Sequence, residues 1–314
     1  MAEVTGLGTS WNLPNYAGEL FTADATQTPF LSMIGGLTGG RQTNNFEFPT
    51  AVLFDYPEPK QPEISEADSA TAPQATHSTR SQESNVVQIF HETIDLSYVK
   101  QSNMGRMSGL NTAGQTANPT DERAFQIQQK LVKIARDIEH TFINGKYQKS
   151  TSESVPNKTR GMLELCSTGN TIDAGATALN KELLKALMLE MANNGAYFNN
   201  MVLFASAKNK QLLTSMFEDK YFTDSKNIAG MNIQQIETDF CKLGIVWDRF
   251  MADDSILIAD IAHIAPVFQA VPNRGVFFEE PLSKNGASDK SQIFGQIGLA
   301  HGANFLHGSI TNLK

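Results

Sequence analysis

Apolar residues recur at three- and four-residue spacing from Ile127 through Leu131, Ile134 and Ile138 to Phe142, with Ala124 and Ala135 alongside. Arg123, Gln126, Gln129, Lys130, Lys133, Arg136 and Asp137 fill most of the remaining surface. Asn118-Pro119-Thr120-Asp121-Glu122 supplies a helix start: Asn118 caps, Pro119 suits the first helical position, and the two acids sit where free N–H groups and the macrodipole favour negative charge. Asn144-Gly145 supplies the stop. The pattern predicts one helix over 119–145, about 40 Å long, with Ile127, Leu131, Ile134, Ile138 and Phe142 as its core stripe. It is too amphipathic to span a membrane, and it needs an equally long surface to lie against.

Before it, residues 1–45 are rich in Gly, Thr, Asn and Ser with scattered apolar side chains, and Gly35-Gly36 and Gly39-Gly40 interrupt regular structure. They read as an extended arm that docks its apolar residues elsewhere, with a turn or two of helix around Tyr16–Phe21. Phe46–Phe54 alternates as a strand, with Phe46, Phe48, Val52 and Phe54 on one side. Val86–Val99 does the same, with Phe90, Ile94, Leu96 and Tyr98 set against His91, Thr93, Asp95 and Ser97. Pro57–Asn85, built of Pro, Glu, Ser, Ala, Thr and Gln, then reads as the tip of a long two-stranded hairpin. A hairpin of that kind is marginal in water and needs a surface to lie on.

After the helix, Arg160-Gly161-Met162-Leu163 opens a short element. Asn180 caps a helix to Asn194 with the stripe Leu183, Leu184, Leu187, Met188 and Met191, and Asn194-Gly195 ends it. Met201–Ala205 reads as a buried strand, and Ser206 caps a helix carrying Leu212, Leu213 and Met216. Met231–Thr238, Gly244–Phe250 and Ser255–Asp260 read as strands, the last two joined by a turn at Met251-Ala252-Asp253-Asp254. Ile261–Phe268 reads as a short helix, and Val276–Glu279, Ser291–Leu299 and Asn304–Ile310 as closing strands.

Composition narrows the class. The 314 residues are 40% hydrophobic and 18% charged, which allows one large or two modest domains with real cores. A net charge of −8 without a basic run argues against a protein that grips phosphates. The longest apolar runs, such as Ser255–Ala259, are too short to span a bilayer, and Met-Ala-Glu-Val-Thr is no secretion signal. Cys166 and Cys241 lack zinc or redox spacing and are expected as buried free thiols.

The order of apolar arm, long hairpin, long helix, compact α/β block and closing strands resembles the major capsid proteins of tailed bacteriophages, the Hong Kong 97-type fold. Glu237-Thr238-Asp239-Phe240, Gly244-Ile245-Val246, Asp248-Arg249-Phe250-Met251 and Ile256-Leu257-Ile258-Ala259-Asp260 resemble the axial-domain signature of one capsid subfamily. Cys241 stands where that signature has glycine, Phe250 is inserted between Arg249 and Met251, and Ala252 replaces a proline, so the turn is expected to differ. The resemblance implies an α+β chain with an N-terminal arm (1–45), an extended loop (46–100), a peripheral domain with spine helix 119–145 (101–177), an axial domain (178–272) and closing peripheral strands (273–314). It implies hexamers and pentamers of an icosahedral phage head around double-stranded DNA, made in the host cytoplasm and carried in the virion. Portal and separate scaffolding or decoration proteins are the implied partners. Trp11, Tyr16, Phe21, Phe30, Phe46, Phe48, Phe54, Phe90 and Tyr98 are the expected assembly interface.

Catalytic motifs are missing: no Gly-x-Ser-x-Gly elbow, Walker loop or HExxH occurs, and no cofactor or metal is expected. Gly6-Leu7-Gly8 begins like a dinucleotide fingerprint, but Trp11 occupies the third glycine position. His301 and His307 are expected as polar or interface residues, and Asp253-Asp254 and Glu279-Glu280 as solvated pairs. Some members of the fold join a hairpin lysine to a neighbour's asparagine. Lys60 with Asn273, Asn285 or Asn304 would be the candidates, yet nothing prepares an uncharged amine in a dry site, and no cross-link is expected. Two other readings lead elsewhere. An encapsulin-like shell would hold a cargo enzyme, and a soluble α/β enzyme with an unrecognised site would be a small monodisperse species with a polar pocket. A tail-tube protein would be mostly β and lack the long helix.

Overall fold

The computed structural model describes residues 28–37, 39–54, 59–72, 74–75, 77–102, 122–217, 222–228, 231–284 and 286–314. In chain order, the first half comprises α1 (Pro29–Met33), β1 (Arg41–Thr43), β2 (Glu47–Phe54), α2 (Glu66–Ser69), β3 (Arg80–Val86), β4 (Gln88–Ser97) and α3 (Tyr98–Ser102). The long helix α4 (Glu122–Asn144) follows, then α5 (Met162–Ser167), β5 (Asn170–Asp173), α6 (Lys181–Asn193), β6 (Met201–Ala205) and α7 (Ala207–Phe217). Strands close the chain: β7 (Phe222–Ile228), β8 (Met231–Glu237), β9 (Lys242–Trp247), β10 (Ile256–Asp260), β11 (Ala265–Gln269), β12 (Phe277–Pro281), β13 (Ser288–Ala300) and β14 (Gly308–Thr311).

The strands form three sheets among the described residues. β13 is the axis of the first: β4 runs antiparallel along one side, while β12 and β11 share the other, and β1 extends β11 in parallel. The second is ordered β5-β14-β10-β6-β9-β8-β7. The third is a ribbon of two strands, β2 and β3.

Two apolar cores meet across the second sheet. Met201, Leu203 and Ala205 of β6 and Ile256 and Ile258 of β10 face one core, built with Leu184, Leu187, Met188 and Met191 of α6 and Leu213 of α7. Val202, Phe204, Leu257 and Ala259, at the alternate positions, face the other, built with Ile134, Ile138, Phe142 and Ile143 of α4. Strands covered on both faces lose the polar half of the period-two pattern, which is why these segments read as continuous apolar runs. On its other side α4 crosses the first sheet, where Glu92 of β4 pairs with Lys130 at 2.8 Å and with Lys133, and Arg123 pairs with Glu279 of β12 at 2.9 Å. Local signals set the ends of elements as expected: the Asn180 side chain accepts the Leu183 N–H at 2.9 Å, and Gly195 takes a φ of +88° just past α6.

Several expectations are corrected. The partner of β2 is Arg80–Val86, not Val86–Val99, which instead forms the edge of the first sheet against β13. The even-numbered face of β2 does not persist. Thr50 is an extra residue between Pro49 and Ala51, and one unpaired residue reverses which side faces inward, so Phe48 is buried while Val52 and Phe54 are exposed. Residues 251–254 do not close a hairpin, because β6 lies between β9 and β10. Ile261–Phe268 is one 3₁₀ turn, capped by the Asp260 side chain, and then β11; Pro266 lacks the N–H that a helix needs there and biases Ala265 to an extended conformation. The closing strands divide, β12 and β13 joining the first sheet and β14 the second. Asn118–Asp121 lie outside the described residues, and α4 spans 23 residues, about 34 Å.

The base of the ribbon is seated on a glycine. A Cβ at Gly298 of β13 would stand 2.8 Å from the Phe48 ring and 2.8 Å from the Val86 carbonyl oxygen, which is backbone and cannot swing away. Gly298→Val should therefore lower unfolding free energy by about 2 kcal/mol, read as a fall in the denaturant midpoint. An unchanged midpoint would mean that Phe48 is not held there.

Candidate assembly surface

The two histidines singled out in the sequence are held inside the fold. Asp260 N–H donates to His307 Nδ1 at 3.2 Å, so the ring proton lies on Nε2, which donates to the His301 carbonyl at 2.6 Å. His301 donates from Nδ1 to the Gly302 carbonyl at 2.8 Å. Burial is the main cause that lowers both, His301 to about 4 and His307 to about 3, and keeps the rings neutral. No group of three or more His, Cys, Asp or Glu among the described residues is placed to hold a metal. Burial pushes the Cys166 thiol up to about 12, far from a nucleophile's range. Glu279 and Glu280 pair with Arg123 and Arg274, while Asp253 and Asp254 are exposed. Lys60 is exposed, Asn304 donates to the Thr168 carbonyl at 3.1 Å, Asn273 turns a loop at φ +64°, and Asn285 and Gly6–Trp11 lie outside the described residues. A hollow of about 500 Å³ beside Trp247 is lined by Ala207, Lys210, Gln211, Thr214 and Ser215, with no carboxylate or imidazole.

Exposed apolar side chains occur at several places, among them Ile89, Leu189 and Tyr197, and one group lies at the ribbon. Phe46, Val52 and Phe54 are 47%, 53% and 52% exposed, and Ile64 projects farther out along the same excursion. Tyr98 is 43% exposed because the alternation of β4 ends at Ser97 and Tyr98 begins α3. Three residues expected at the interface are instead internal. Phe30 meets the Phe204 ring edge-on at 5.2 Å, Phe48 lies on Gly298, and Phe90 points with Ile94 and Leu96 into the core beneath α4. Trp11, Tyr16 and Phe21 lie outside the described residues. Along α4, Ile134, Ile138 and Phe142 are buried, Ile127 is half-buried, and Leu131 is 38% exposed; the apolar stripe is covered toward the C-terminal end only.

Two polar anchors hold the ribbon and the N-terminal segment to this body, and sequence reasoning passes over both. Asn85, fully buried at the ribbon base, donates to the Leu299 carbonyl at 2.8 Å and the Arg160 carbonyl at 3.2 Å, and accepts from the Arg160 and Val86 N–H groups. Glu139 accepts both the Phe30 and Leu31 N–H groups at the start of α1. A signal for Glu139 exists, since it stands four residues from Ala135 and from Ile143 in an apolar row. Asn85 gives none.

A spine helix held between a sheet and an α/β block, with a ribbon projecting from the sheet, is a Hong Kong 97-type capsid fold. The cyanophage A-1(L) capsid is similar with a TM-score of 0.64 over 99% of this chain and 99% of that one, at 10% identity. The Mycobacterium phage Adephagia structure gives 0.54 over 100% and 99%, also at 10% identity. The SrpI encapsulin complex of Synechococcus elongatus PCC 7942 gives 0.59 over 96% and 92%, at 11% identity. No curated protein matches the sequence. The SU10 major capsid protein family matches residues 3–314, and the chain belongs to that family. It is a major capsid protein, a structural component of a virion shell.

The neutral histidines set an acid limit. Their folded values lie below the ordinary 6.5, so between 6.5 and those values the unfolded chain binds protons that the folded chain refuses. Stability present above pH 6.5 should fall as pH drops toward 4, by about 1.4 kcal/mol per pH unit for each histidine. His307→Gln should flatten the acid limb of the melting-temperature profile by one proton's worth. An unaltered limb would show that His307 titrates normally.

Proposed function

We propose that the chain is the shell subunit of an icosahedral phage head, arranged as hexamers and pentamers around double-stranded DNA, made in the bacterial cytoplasm and without enzymatic activity. The observation that carries this reading is the β2–β3 ribbon, where Val52 and Phe54, and Phe46 just ahead of β2, each leave about half of their surface in water. Covering what remains exposed of each side chain on a neighbouring copy would contribute roughly 1 kcal/mol. Repeated around a capsomer and joined to other contacts, this supports interfaces of the obligate kind. In this reading the arm residues Trp11, Tyr16 and Phe21 and the exposed Tyr98 and Leu131 add to the same neighbour contacts, and a portal and separate scaffolding or decoration proteins complete the head. The division into arm (1–45), extended loop (46–100), peripheral (101–177 and 273–314) and axial (178–272) parts describes how the subunit spreads across the wall. The charge of −8 suits a wall that must not hold the packaged DNA tightly.

The likeness to an encapsulin favours a second reading, a shell around a protein cargo. DNA of uniform length in purified particles supports the first reading, and a retained cargo peptide the second.

Phe54→Ser should cost the single subunit no more than about 1 kcal/mol, because half of the side chain is already in water. The same change should weaken particles against heat or denaturant, seen by electron microscopy and light scattering. Deleting residues 58–79 should likewise leave a folded subunit that fails to give stable shells. Shells of normal stability from both variants would contradict the assignment of the ribbon to assembly.

A further inference from the structure

Two buried carboxyls stand where three elements converge. Glu139 is on the inner face of α4 and fully buried; Oε1 accepts the Phe30 N–H at 2.7 Å and Oε2 the Leu31 N–H at 2.6 Å. Both are N–H groups of the first turn of α1, which find no partner inside the helix. Asp248 follows β9 and is also buried. Its Oδ1 accepts the Phe250 N–H at 2.8 Å, while its Oδ2 is shut away from solvent with no donor among the backbone and side-chain N–H and hydroxyl groups described. The group beside it is the Glu139 carboxyl, which can supply a hydrogen only when protonated.

Among the described residues, no cation is among the groups that act on either carboxyl. From α4, Arg136 and His140 both turn to the Phe250 ring, at 5.9 and 6.1 Å. From the turn after β9, Arg249 lies over the Trp247 ring at 5.7 Å. α1, with the sequence PFLSM, and β6, with MVLFA, bring no titratable side chain. Two adjacent carboxylates in a dry site without a counter-cation cannot both ionise.

We propose that Glu139 and Asp248 share a single proton, and that this proton latches α1, with the chain leading into it, to the spine helix and the end of β9. Glu139 carries it and donates it to Asp248 Oδ2, so the pair bears one negative charge, held by three backbone N–H groups. Raising the pH passes the proton to solvent, leaves two facing carboxylates, and opens the latch. Burial, and after it the Asp248 charge, raises Glu139 well above the ordinary carboxylate range, while burial raises Asp248 against the pull of the hydrogen bond from Glu139. With a folded value above the ordinary 4.5, the folded chain keeps a proton that the unfolded chain has released. The contribution to stability is therefore full in acid and lost as pH rises through the folded value. This inference stands on the single chain and does not depend on the shell reading.

Hydrogen exchange of the peptide covering Thr28–Ile34 in the full-length protein tests it. After correction for the intrinsic base-catalysed rate, protection of the Phe30 and Leu31 amides should fall about tenfold or more as the pH is raised from mild acid through the folded value of Glu139 into alkali. Asp248→Asn places a permanent amide N–H where the shared proton was and leaves Glu139 a carboxylate that still accepts from α1, so its protection should not change with pH. Flat protection in the wild type, or parallel loss in both proteins, would overturn the proposal. Should Asp248→Asn not fold, infrared spectroscopy of the wild type decides the matter. A protonated-carboxyl band at neutral pH that alkali removes, and that is absent from Glu139→Gln, is the expected result. Absence of that band from the wild type would overturn it.

Discussion

A two-stranded ribbon has two faces, and among the described residues only the base of this one is fully buried. Phe48 and Asn85 fix that base, the first against Gly298 and the second through carbonyl and N–H groups of Leu299, Arg160 and Val86. Beyond the extra residue at Thr50 the apolar side of β2 turns outward. The bulge thus separates a buried anchoring half from a half that presents phenylalanine and valine to water. A ribbon of this kind is marginal alone. The body to which it is anchored must be firm, and in the proposed shell a neighbouring copy supplies the contact that its outer half makes.

The body is firm because one wall serves two cores. β6 and β10 send alternate residues to α6 and α7 on one side and to α4 on the other. A helix trapped between that wall and the β4–β13 sheet has little freedom to shift, since interiors are close-packed and deform in steps. The groups that do respond to conditions sit at its margins. His301 and His307, between β13 and β14, resist protonation, whereas Glu139 beneath α1 resists losing its proton. Acid therefore acts on the strand junction and alkali on the N-terminal attachment, and the subunit is best held together between the two.

Much of this was legible in the sequence where one period dominates a segment. The stripe of α4, the cap and stop of α6, and the alternation from Phe90 to Leu96 have direct local causes, and the order of parts carried the fold class. Pairing was not legible. β3 reads Arg-Ser-Gln-Glu-Ser-Asn-Val, with no apolar alternation, because a ribbon in water makes its ladder from backbone groups and asks little of side chains. Val86–Val99 offered a better strand pattern and so drew the expected partnership away from the true one. Thr50 gives no sign that it is supernumerary, yet it turns Val52 and Phe54 toward solvent. Burial in the cores moves Phe30 and Phe90, and the seat on Gly298 moves Phe48, from the expected interface to the interior. Glu139 could have been found as a charge in an apolar row. Asn85 acts through backbone atoms distant in sequence, and no local pattern encodes those.

The most direct measurement is a near-atomic reconstruction of assembled particles, resolving the surroundings of β2. The account predicts that Phe46, Val52 and Phe54 lie against a neighbouring copy and are withdrawn from water there, while Phe48 remains on Gly298 of its own chain. Particles in which those three side chains stay as open to solvent as they are in the single subunit would contradict it.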